Sequence, residues 1–226
     1  MAQTNRFLLL LLLLIVFLFF LGPVHPGSTL GALLRRVVFG ATLLAGAYSV
    51  TDNRKLFVLA TVLAVPPVLL GFGTALGSGS SAGVMQLVLA SASLTLTSVL
   101  ILAHIVRVRH VTVDTLFGGL CVYLLLGAVW ALLFRIIHVV NPNAFSIPQH
   151  FVTTTADGAS TIDMSVFTYF SFSTLTTLGY GDISPISPIA RSMTSLEASA
   201  GQLYIAILVA GLVSVHIAQA ASRTDR

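Results

Sequence analysis

One heptapeptide, Thr176-Thr177-Leu178-Gly179-Tyr180-Gly181-Asp182, constrains this chain more than any other stretch. It lies between a short aromatic-rich apolar segment, Met164 to Leu175, and a long apolar segment, Leu196 to Ala221. A break of this kind between apolar segments has few physical uses. A dehydrated cation needs oxygen ligands in place of its water, and a ring of backbone carbonyls supplies them. Successive carbonyls point the same way only if alternate residues leave the conformations open to L-residues. Gly179 and Gly181 do so at no steric cost. Thr177 adds a hydroxyl ligand at the cavity end, and Tyr180 turns away from the ions to brace the strand from behind. The alternative is a chance turn between two helices.

Composition places this feature in a membrane. Of 226 residues, 56% are hydrophobic and 8% charged, against about 25% charged in soluble domains. The net charge of +4 raises nucleic acid as a partner, but the eleven basic residues are scattered at helix ends rather than clustered. They read as topology signals, and no nucleic-acid partner is expected. Cys121 is the one cysteine, so an intrachain disulfide is impossible, and no Cys/His spacing resembles a metal site.

Six apolar spans follow in order: Phe7 to Leu21, Leu33 to Val50, Leu56 to Phe72, Ala82 to Val106, Val113 to Val140 and Leu196 to Ala221. The first is short for the roughly 20 residues a spanning helix needs. It is read as a retained helix, with a signal peptide as the rival, because no small-x-small cleavage site follows. Pro66-Pro67 predicts a kink in the third span. Gly71 to Gly83 and Asn141 to Asp163 read as loops, and Asp163 as the N-cap of a pore helix over Met164 to Leu175.

Thr177 to Asp182 resembles the signature of the potassium channel family, commonly Thr-Val-Gly-Tyr-Gly-Asp. Thr174 to Thr177, Pro185, Arg191 and Gly201 match that family's pattern in register, over about Val113 to Ala221. The sequence departs at Leu178, where a β-branched residue is usual. The resemblance implies an all-α membrane protein forming a homotetrameric pore. Residues 1–110 would be a four-helix transmembrane region and 111–226 the pore domain. It implies K+ as the permeant ion, held at Thr177, Leu178, Gly179, Tyr180 and Gly181, with no organic cofactor and no catalysis. Tyr169, Thr176, Asp182 and Glu197 would support the filter, Tyr169 by a hydrogen bond to Asp182.

Glu197 lies at membrane depth and needs a partner, for which Arg135 and Arg191 are the candidates. Gly201 is the expected hinge. Gln202, Ile205, Val209 and Val213 follow at helical spacing as cavity-lining positions, with His216 or Ile217 beyond them. Asp157, Asp163 and Asp182 would make an acidic mouth. With the filter opening outward, seven of the eleven basic residues fall inside and Arg35, Arg36, Arg135 and Arg191 outside. Both termini are then cytoplasmic, in the plasma membrane, with lipid and further copies of the chain as partners. Arg35 and Arg36 run against the rule and have no account in the sequence. Gln86 to Ala103 carries no charge, so voltage gating is not expected. No soluble regulatory domain is expected. Two rival functions stand beside this one. One is a non-selective cation channel, suggested by Leu178. The other, more remote, is an intramembrane serine protease using Gly79-Ser80-Ser81 and His216.

Overall fold

The computed structural model describes residues 6–21, 29–49, 54–74, 80–107, 112–154 and 160–224. Several side chains at helix ends, and all beyond Gly211, lie outside the described set. Seven helices dominate. α1 (Arg6–Ile15) runs on as π-helical turns over Val16–Leu21. α2 (Thr29–Ser49), α3 (Arg54–Thr74), α4 (Ser80–Arg107) and α5 (Val113–Val140) follow. A short α6 (Met164–Leu175) precedes the Gly-Tyr-Gly segment, and α7 (Pro188–Thr224) comes after it. Among the described residues, Gly83–Val106, Val113–Val140 and Pro188–Gly211 are long and apolar enough to cross a membrane, and Phe7–Phe20 and Ala60–Leu70 are shorter apolar stretches. Pro66 and Pro67 lie inside α3, which is assigned as one helix through them.

Two small antiparallel pairings shape the 141–163 connection, read from sequence as a plain loop. β1 (Phe145–Ser146) pairs with β4 (Ser184–Pro185), tying this connection to the chain just past Asp182. β2 (Val152–Thr154) pairs with β3 (Ser160–Ile162) as a hairpin ending at Asp163.

α7 begins eight residues earlier than the sequence reading placed it. Ser187 Oγ accepts the Ala190 N–H at 3.2 Å and Pro188 occupies the first helical position. A serine cap followed by proline is a start signal, since proline lacks the N–H that the first turn leaves unbonded. Glu197 therefore lies nine residues, about 13 Å, along the helix.

Two apolar clusters hold the fold. In the first, Phe7, Leu10, Leu11, Leu14 and Leu18 of α1 are buried where α1 packs on α5 and α2, in one cluster with Leu43 of α2 and Cys121, Val122 and Leu125 of α5. The leucine run is thus a central strut of the bundle. In the second, Phe134 of α5 meets Phe170 and Phe145 at ring separations of 5.0 and 5.7 Å, and Phe167 joins them through Phe145. Lipid tails are as apolar as leucine, so close packing, more than exclusion of water, holds such clusters in a bilayer. Leu14→Ala should destabilise the protein by about 2–5 kcal/mol through the cavity it leaves. Leu12→Ala, at an exposed position on the same helix, should not. Thermal unfolding of the two variants in detergent separates them.

Candidate ion-conducting site

The site is built on the end of α6. Asp163 caps the helix start, its Oδ1 accepting the Ser165 N–H at 2.9 Å. At the other end Thr176 closes the helix, its N–H and hydroxyl both reaching the Phe172 carbonyl, at 3.1 and 2.6 Å. The negative end of the helix dipole thus lies beside Thr177.

Beyond it the backbone alternates in hand. Thr177, Gly179 and Gly181 have φ of 59°, 58° and 79°. The glycines accept this freely. Thr177, β-branched, does not, and such a residue costs of order 1–3 kcal/mol. The sequence reading anticipated the two glycines and missed the threonine, since nothing in a threonine announces a positive φ.

The N–H groups of this segment turn to α6. Thr177 N–H bonds the Thr174 carbonyl at 2.9 Å, Gly179 N–H the Ser173 carbonyl at 3.1 Å, and Tyr180 N–H the Ser173 hydroxyl at 3.4 Å. Ser173, absent from the sequence-based list, therefore holds two successive filter residues. The carbonyl oxygens of Thr177, Leu178, Gly179 and Tyr180 accept no hydrogen bond among the described residues. These four residues are exposed on the single chain, so their carbonyls are open to a ligand or to solvent.

Behind the segment, Tyr180 stacks on Tyr169 with ring centroids 6.0 Å apart and planes 12° apart. The Tyr169 hydroxyl donates to Asp182 Oδ2 at 2.8 Å, the pairing expected from the sequence, while Oδ1 accepts the Ile183 N–H at 2.9 Å. Desolvation, then the bond to Asp182 and that carboxylate's charge, push the Tyr169 phenol up to about 12. It therefore remains a donor across the physiological pH range.

Glu197 has a different partner from the two arginines expected. It is fully buried, and its Oε1 lies 2.5 Å from the hydroxyl of buried Ser171 on α6. Oε2 has no hydrogen-bond partner. Arg135 turns to the Ile162 carbonyl (2.8 Å) and Arg191 to the Pro185 carbonyl (3.3 Å). The early start of α7 carries Glu197 too deep for either. Ser171 also meets the Gly127 carbonyl of α5 at 2.8 Å, so one hydroxyl joins three helices. It has one proton for two acceptors, and a proton on Glu197 completes both contacts.

Gly201, expected as a hinge, lies at a tight crossing. A Cβ there would run into the Leu175 carbonyl and stand 2.8 Å from its Cδ1. Gly127 is similar, with Phe172 at 2.7 Å from such a Cβ. Gln202 Nε2 reaches Thr177 Oγ1 at 3.4 Å, below the filter segment. Ile205 and Val209 are exposed on the single chain. The side chains of Val213, His216 and Ile217 lie outside the described residues, as do Asp157 and the side chains of Ser80 and Ser81. Asp163 sits at the far end of α6 from the filter segment, while Asp182 lies directly beside it.

Glu197→Ala should cost about 2–4 kcal/mol by leaving a void among three helices and removing the contact to Ser171. Glu197→Gln, which offers a donor in the same place, should cost less than about 1 kcal/mol. In a double-mutant cycle with Ser171→Ala the two sites should couple by at least about 1 kcal/mol. Additive effects in thermal unfolding would refute the contact.

None of the curated proteins matches the chain. Residues 111–217, which carry α5, α6, the filter segment and most of α7, match the ion channel family model Ion_trans_2. Over these residues, just under half of the chain, it is similar to an ion channel family.

Proposed function

We propose that this chain is a potassium-selective channel, conducting K+ passively through a filter made by four identical copies. The observation that carries the reading is the run of four carbonyls, Thr177 to Tyr180, left without hydrogen bonds while the N–H groups of Thr177, Gly179 and Tyr180 are tied to α6. One chain offers one such edge, and a ring of ligands needs several. Tyr180 is 65% exposed and Ile207 of α7 is 71% exposed, which suits burial against neighbouring copies and lipid. Thr177, Leu178, Gly179, Tyr180 and Gly181 form the ion path in this reading. Tyr169, Ser173, Asp182 and Glu197 position it, and Gln202, Ile205, Val209 and Val213 line the cavity.

The remaining helices fit a six-span chain, with α1 retained, both termini cytoplasmic and the filter opening outward in the plasma membrane. The packing of α1 into the bundle supports its retention. The uncharged Gln86–Ala103 stretch of α4 argues against voltage gating.

Gly179→Ala tests the filter most sharply. Within its own chain its Cβ would meet no atom within 4 Å, so no intrachain crowding adds to the strain of the φ of 58°. That costs about 1–2 kcal/mol per chain. In liposomes with the protein assembled, barium-sensitive K+ flux should fall to background. Wild-type flux in the variant would overturn the proposal. Voltage gives a second test. A single charge crossing the field is worth about 2.3 kcal/mol per 100 mV, a factor of about fifty in an equilibrium constant. Open probability in a planar bilayer should vary far less than that over the same range.

A further inference from the structure

Arg35 and Arg36 oppose the charge bias of the other spans, and conduction gives them no task. In the fold both line a cavity of about 610 Å³ beside the β2–β3 hairpin, together with Arg135 of α5 and Asp163. Phe39 and Leu87 are among its apolar walls. Three guanidinium groups against one carboxylate leave two positive charges in excess. Asp163 already gives Oδ1 to the α6 cap. Arg135 spends one donor on the Ile162 carbonyl and stands 5.5 Å over the Phe167 ring. Arg35 is engaged within the protein. Arg36 is half-buried and makes no hydrogen bond or ion pair among the described residues.

A guanidinium at the edge of a bilayer needs an anion, and its planar fork matches two oxygens of a phosphate. We propose that this cavity binds the phosphodiester headgroup of an anionic glycerophospholipid, in the leaflet on the side of the β2–β3 hairpin, with Arg36 as its main contact. The cavity is flanked by two candidate spans, α4 and α5, so the apolar wall meets acyl chains while the arginines meet the headgroup. A zwitterionic headgroup would bring a cation into a site that already holds excess positive charge.

The full chain in detergent, titrated with phosphatidylglycerol or with phosphatidylcholine of the same acyl chains and read by native mass spectrometry, tests this. Phosphatidylglycerol should bind about tenfold tighter, as one charge-assisted contact implies. Arg36→Gln should remove most of that difference while leaving phosphatidylcholine binding and the melting temperature in phosphatidylcholine unchanged. Arg36→Lys should restore part of it, since it keeps the charge and loses the fork. Equal phosphatidylglycerol binding by Arg36→Gln and wild type would overturn the assignment. So would displacement of the lipid by inorganic phosphate at matched concentration, which would mark a site for soluble anions.

Discussion

Three times in five residues, at Thr177, Gly179 and Gly181, the backbone enters the left-handed region, and a free chain does not hold that conformation. Everything around the segment serves to hold it. Ser173 takes two of its N–H groups from one side, and the Tyr169–Tyr180 stack closes another. Asp182 ends the segment with both carboxylate oxygens engaged. The strain at Thr177 persists because these contacts over-determine the geometry. The product is a line of carbonyl oxygens that the protein itself leaves unbonded.

The support extends inward in layers. α6 can hold the segment only if α6 is itself fixed. Ser171 does this at the junction with α5 and α7, where the Gly127 carbonyl and Glu197 converge on one hydroxyl. The lack of a side chain at Gly127 lets the Phe172 ring press against α5, and the same ring lies 5.4 Å from Phe19 at the end of the α1 rod. The first helix thus touches α6 directly. A packed chain of this kind, from a leucine-rich strut through one aromatic ring to the filter, gives the first helices a mechanical relation to the site beyond widening the bundle.

Much of this was legible in the sequence, for reasons that are local. Asp163 as cap and α6 over Met164 to Leu175 depend on spacing within one helix, whereas the Tyr169–Asp182 pair was legible only through the family resemblance. The glycines announced the backbone's hand. What stayed hidden depends on docking between distant segments. Ser171 meets Glu197 across 26 positions only because α6 packs against both α5 and α7. Arg135 looked like a partner for Glu197 by side of membrane alone, and the hairpin that offers it the Ile162 carbonyl has no strong sequence signal. The close approach of the Leu175 carbonyl to Gly201 was likewise hidden, since nothing around Gly201 in the sequence marks Leu175 as its neighbour. The start of α7 was the avoidable miss, since Ser187-Pro188 is a capping signal in plain view.

The central claim is that the carbonyls of Thr177 to Tyr180 discriminate between cations by replacing the hydration shell of one of them. The most direct measurement is the reversal potential of the purified full chain in a planar bilayer, with K+ on one side and an equal concentration of Na+ on the other. A potassium-selective filter displaces the reversal far from zero, with the K+ side negative, the polarity that holds K+ back on its own side. A reversal near zero with clear currents would contradict the account, and would place Leu178 in a path wide enough to pass both ions alike.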